Sequence, residues 1–124
     1  MFSNNEWKRL LTTLIDQTRK GQIEWDGDND SEGYFRRIDA ETVIAIRGVD
    51  GDARAPYELN VWREDKELQK SIKFGSITSR NFFEMREPDL VGELYEVIVR
   101  AINQVDSIFT NIMTRLQNPD VPDL

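Results

Sequence analysis

The segment "TVIAIRGVDGDARAPYELNVWR", residues 42–63, decides the fold. Its first seven residues are β-branched and apolar enough for a strand buried on at least one face. "VDGDARAP" follows, with an Asp-Gly turn signal and a closing proline, and reads as a loop. From Tyr57 to Arg63 polarity alternates, with Tyr57, Leu59 and Val61 on one side and Glu58, Asn60 and Trp62 on the other. Two such runs joined by a short connection pair antiparallel.

Working outward, residues 34–38 form a strand before the turn "IDAET". Residues 68–74 form another after "EDKE", with Ile72 and Phe74 on one side and Lys73 on the other. The expected sheet is a four-stranded antiparallel meander spanning residues 34–74. Residues 4–20 carry Trp7, Leu10, Leu11, Leu14, Ile15 and Thr18 at helical spacing. Asn4 or Asn5 can cap the start, Arg19 and Lys20 suit the C-terminal dipole, and Gly21 sits where a left-handed cap belongs. Ile23 and Trp25 then alternate with polar residues in a short extended segment, with Trp25 as its anchor.

Residues 75–87, "GSITSRNFFEMRE", fit no period, yet contain Ile77, Phe82, Phe83 and Met85, and read as a loop packed onto the core. Pro88 then opens a long helix running to residue 117, with Asp89 and Glu93 in its first turns and Glu96 spaced to pair with Arg100. Its apolar row runs Leu90, Leu94, Ile98, Ala101, Val105, Ile108, Ile112, Leu116, flanked by Val91, Val97, Ile102, Phe109 and Met113. The tail, residues 118–124, holds two prolines and two acids and reads as disordered. The fold class is therefore α+β. One domain, residues 1–117, carries an N-terminal helix and a long C-terminal helix packed on one face of the meander.

The lengths do not match. A helix over residues 88–117 is about 45 Å long at 1.5 Å per residue, whereas four strands span about 20 Å. The overhang stays apolar at Ile108, Phe109, Ile112 and Met113, and leaving large apolar side chains in water forfeits roughly 1.5–3 kcal/mol each. The N-terminal helix, a second copy of the chain or another protein must cover that row. Trp62, on the side of its strand opposite Leu59 and Val61, is a further candidate contact if helices cover only one sheet face.

Composition excludes several chemistries. The chain has 124 residues, no cysteine and no histidine. Disulfides, the usual zinc, iron and copper sites, and Ser-His-Asp or Cys-His nucleophiles are thereby absent. No phosphate-binding Gly-rich loop occurs, because "GVDGDARAP" lacks the Lys-Ser/Thr pair. No apolar run spans a membrane and no secretory signal opens the chain, so the expected location is cytoplasmic. A net charge of −7 with no basic run beyond two residues argues against nucleic acid. Arg36, Arg47, Arg63 and Lys73 lie on expected strands near aromatic residues, but their parities disagree.

"WDGDNDSEGY", residues 25–34, begins like a calcium loop, with Asp26, Asp28, Asp30 and Glu32 alternating. Aligned as an EF-hand, it places Ser31 where glycine is needed and Arg37 where a bidentate Glu is needed. It reads as a solvated acidic loop, and no metal site, catalytic residue or cofactor is expected.

"TRKGQIEW", "YELNVWREDKELQKSI" and "LYEVIVRAINQVDSIFTNIMTRL" resemble small uncharacterised bacterial proteins. These share a helix, a Gly-x-Ile/Leu-x-Trp segment, a short meander and a Leu-Tyr-rich C-terminal helix. The resemblance rests on Gly21, Ile23, Trp25, Leu94 and Tyr95 and implies a fold but no catalytic residue. The leading expectation is a non-enzymatic interaction or regulatory module acting by self-association, as a homodimer, or on a protein partner through Trp62, Ile108, Phe109, Ile112 and Met113. The alternative is a domain binding a small anionic ligand between sheet and loop, through Arg36, Arg47, Arg63, Phe82 and Phe83. An acidic mimic of nucleic acid is a third.

Overall fold

The computed structural model describes residues 2–28 and 33–118. Its elements in chain order are α1 (Asn4–Arg19), β1 (Asp26–Asp28), β2 (Gly33–Arg37), β3 (Thr42–Gly48), β4 (Tyr57–Asp65), β5 (Lys70–Thr78), α2 (Ser79–Glu84), α3 (Leu90–Ile102) and α4 (Val105–Gln117). The strands form one sheet in the order β1-β2-β3-β4-β5, every pair antiparallel.

The sheet has five strands, not the four expected. β1 is the addition, and "DGD" has no β-forming composition. It pairs through its backbone, with Asp26 opposite Phe35 and Gly27 opposite Tyr34. Strand parity sorts the rest. Tyr34, Ile46, Leu59 and Ile77 lie in one cross-strand row, and Ile44, Val61 and Gly75 in the next, both on the helix-covered side. Gly75 is where Trp7 lies across the sheet; a Cβ there would meet the indole at 3.3 Å. The opposite rows, Phe35-Ala45-Asn60-Ser76 and Arg37-Val43-Trp62-Lys73, point away.

β5 extends to Thr78, so the first four residues of the expected loop are strand. The reason is a bulge: Val61 faces Gly75 while Trp62 faces Lys73, leaving Phe74 as an extra residue. The bulge breaks the alternation that would have extended the strand. Phe74 packs on Phe2 at 5.5 Å between ring centroids, and Phe2 meets Trp7 edge-on at 4.9 Å. The remainder of the expected loop is the short helix α2. Thr78 and Asn81 form a reciprocal capping box at its start, and Phe82 is fully buried.

α1 starts at Asn4, as expected, but its cap lies one residue before the expected ones. Ser3 is the N-cap, its hydroxyl accepting from the Glu6 N–H while Glu6 accepts from the Ser3 N–H. Gly21 has φ +71, the left-handed stop that the sequence implied. Trp25 is held as an anchor: its indole Nε1–H donates to Thr18 Oγ1 at 3.0 Å, and the Thr18 hydroxyl donates to the Leu14 carbonyl at 2.6 Å. α1 packs beside α3, which buries Val91, Leu94, Tyr95, Val97 and Ile98.

The single long helix over 88–117 is corrected to two. Pro88 lies outside; Asp89 is the N-cap, accepting from the Gly92 N–H at 2.9 Å. α3 ends within a turn of its last buried residue, Ile98. Gln104 then adopts φ 54, ψ 34, a left-handed conformation unusual for a residue with a side chain, and α4 begins without a side-chain cap. Arg100, spaced to pair with Glu96, instead reaches across the break to Asp106 at 2.6 Å. α4 buries no residue. The expected disordered tail lies, from residue 119 onward, outside the described residues.

The Thr18–Trp25 bond generates a test. Thr18→Val leaves a buried indole N–H without an acceptor, costing about 1–3 kcal/mol. In a Trp25→Phe background the same substitution costs markedly less, as read by a double-mutant cycle in urea unfolding.

Candidate functional site

The expected contact residues fall on two separate surfaces. Ile108, Phe109, Ile112 and Met113 lie on α4, with Leu116 one turn beyond. Ile108, Phe109, Ile112 and Leu116 are 53, 61, 52 and 72 % exposed, and Met113 is half-buried. Ile102, at the end of α3, adds to the same exposed region. α4 is held to the body chiefly through α3. Among the described residues the row that had to be covered is therefore largely exposed, and the helix is interrupted at Gln104 instead of running straight.

Trp62 lies on the second surface, the sheet face without helices. Lys73 sits over its ring, 5.2 Å from the centroid, and half-covers it. Val43 and Ala45 are half-buried nearby and Phe35 is exposed. Two ion pairs flank this patch. Arg47 Nε bonds Glu58 Oε1 at 2.7 Å, and Arg37 grips Glu64 through both guanidinium nitrogens at 3.1 and 2.7 Å. Asn60 is buried between Ala45 and Ser76, and its Oδ1 finds no donor among the described residues. The patch thus combines partly wet apolar groups with a polar interior position and a charged rim.

The five residues of the ligand alternative disperse. Arg36 points to the helix-covered side and donates to the Glu24 carbonyl at 3.4 Å. Arg47 is paired on the opposite side, and Arg63 bonds Glu41 at 2.9 Å near the β4–β5 end. Phe82 is in the core and Phe83 is 83 % exposed. Arg63 contributes to an open groove of about 580 Å³ with Glu41, Glu64, Lys66 and Ile72. Phe83 lines a different one with Pro56 and Arg80. Among the described residues no group of three or more acids is placed to hold a metal ion. The core of the acidic loop, residues 29–32, lies outside those residues.

What the sequence reading missed is an aromatic stack on the helix-covered side. Tyr57 lies parallel to Tyr95 at 4.1 Å, and Tyr34 tilts onto Tyr95 at 5.6 Å. Burial pushes the Tyr57 hydroxyl up from its ordinary range, with the carboxylates of Glu96, Asp52 and Asp89 adding to the effect. The available signal was parity: Tyr34 and Tyr57 share the inward side of their strands. The stack joins the sheet to α3 and serves packing.

No protein-family model, curated protein or solved structure matches this chain. Among the described residues no helix is long and apolar enough to cross a membrane.

Charge at the sheet end containing the β2–β3 turn makes a pH prediction. Asp39 accepts from the Glu41 and Thr42 N–H groups, both at 2.8 Å, and the Glu41 bond leads in holding its carboxyl below the ordinary value. The Arg37 guanidinium does the same for Glu64. Both groups hold fewer protons folded than unfolded in the acid range. Their stabilisation is therefore present above the ordinary carboxylate pKa and is lost as pH falls through the lowered one. Urea midpoints measured from neutral pH downward should show that loss, and Asp39→Asn should shrink it.

Proposed function

We propose that this protein is a non-enzymatic interaction module that docks protein through α4. One observation carries the reading: among the described residues, a helix of 13 residues has no fully buried side chain, while four of its large apolar side chains are more than half exposed. Isolated apolar residues on a surface are ordinary, but a contiguous row along one helix is the kind of patch that marks a contact site. The helix is too short to owe its stability to propensity alone. Contact along its apolar side supplies what its own fold does not.

The sheet patch around Trp62 supports the same class of function as a secondary surface. Its aromatic centre and ion-paired rim resemble the composition of protein contacts. The anionic-ligand reading draws less support, because Arg47 and Arg63 are already neutralised by Glu58 and Glu41 and the two open onto different parts of the surface. The absence of His and Cys, together with the scatter of the acids, favours binding over chemistry.

Affinity purification of the full chain from its native cells, beside a Phe109→Glu/Ile112→Glu variant, tests this reading. A partner retained by the parent chain and lost with the variant is expected. Equal retention by both overturns it. Thermal unfolding of the purified variant should stay close to the parent, because neither side chain is in the core. Leu94→Ala, at a fully buried position, should instead lose about 2–5 kcal/mol.

A further inference from the structure

α4 has the same chemical pattern from either end. Val105 matches Leu116, Asp106 matches Arg115, Ser107 matches Thr114, Ile108 matches Met113, Phe109 matches Ile112, and Thr110 matches Asn111. Five of these pairs join like chemistry, apolar with apolar or uncharged polar with uncharged polar. The sixth joins acid to base. The centre of the pattern, between Thr110 and Asn111, lies half a residue from the middle of the helix at Asn111, with only Gln117 left outside the pairing. A helix that merely covers a core needs one apolar stripe and no such inversion. A two-fold contact does need it, because there residue i meets j and residue j meets i.

The helical projection agrees. At 3.6 residues per turn, Val105, Phe109, Ile112 and Leu116 fall in one narrow stripe, with Ile108 and Met113 on opposite flanks. Resting on the docking role above, we infer that the occupant of α4 is a second copy of this chain, its α4 antiparallel to the first about a two-fold axis at the helix centre. Each apolar residue then lies at the level of another apolar residue. Each Asp106, already bonded to its own Arg100, lies at the level of Arg115 of the second copy, so no like charges share a level.

Charge also selects this face for self-contact. The chain carries −7 overall, whereas α4 holds one acid and one base. Two copies therefore meet where their mutual repulsion is least. The break at Gln104 helps, since it turns α4 away from the line of α3. Six apolar side chains per copy bring on the order of 1,000 Å² out of water in total, at the lower limit for a specific interface. The dimer is accordingly reversible and concentration-dependent.

The chain's lack of cysteine makes the test direct. Sedimentation equilibrium of the full chain should show monomer converting to dimer with rising concentration, strengthened by added salt as the acids are screened. Phe109→Glu should abolish the shift. Under mild oxidation Ile112→Cys should cross-link to itself, because the two sites lie beside the axis. Val105→Cys should not, its two copies being about 16 Å apart along the helices. A mixture of Val105→Cys and Leu116→Cys should cross-link as a hetero-pair. Self-linking by Val105→Cys would show parallel helices and overturn the arrangement. A monomer at every concentration overturns the inference altogether. If a monomeric chain still retains an α4-dependent partner from its native cells, the docking role stands and only self-pairing fails. If it retains none, both fail.

Discussion

Burial of the sheet on one side only is the constraint on which the rest depends. The row Tyr34-Ile46-Leu59-Ile77 must be shielded from water, and the shield is the pair of helices α1 and α3. Each inward residue removes apolar surface from solvent, worth roughly 25 cal/mol per Å². A slip of one residue in any strand would send that strand's inward set to the wrong side. Register, helix position and the aromatic stack on Tyr95 all follow from that single requirement. So does the termination of α3, which stops soon after Ile98, where there is no more inward surface for it to cover.

The same constraint explains how the chain divides into core and exposed surfaces. Residues before the break at Gln104 are held by the sheet, and residues after it are not. Arg100 and Asp106 clasp the elbow, so the second helix is positioned without being packed. On the far side of the sheet, Trp62 and Phe35 remain at or near the surface because the described residues place no helix over that side. Two very different exposed regions thus result from one architectural choice, and neither requires a defect in the core.

Much of this was readable in the residues. Alternation in Tyr57–Asp65 and the β-branched run in Thr42–Gly48 placed β3, β4 and the side to which Trp62 belongs. Spacing from Trp7 to Thr18, followed by Gly21, placed α1. The failures have physical causes. β1 is "DGD", held by ladder hydrogen bonds and not by side-chain preference. Phe74 is a bulge residue, and one extra residue is enough to erase a period of two. The break between α3 and α4 was hidden because the apolar row runs through it without interruption, and Asn103 is only a modestly weak helix former while Gln104 is a good one. The expected overhang presumed one straight helix; the exposure of Ile108, Phe109, Ile112 and Leu116 arises instead on a separate helix after the break. Dispersal of Arg36, Arg47 and Arg63 was foreshadowed by their disagreeing parities, but their partners were not legible, because the Glu24 carbonyl, Glu58 and Glu41 reach them from other segments of the chain.

The margins of the sheet have a consequence of their own. One edge, β1, is three residues long, and the other, β5, is kinked by Phe74 and studded with Lys70 and Lys73. Short, kinked and charged borders do not template further strands. Open-ended stacking of chains into fibrils is therefore blocked at both sides of the molecule. The two-fold contact inferred for α4, by contrast, closes on itself and does not propagate.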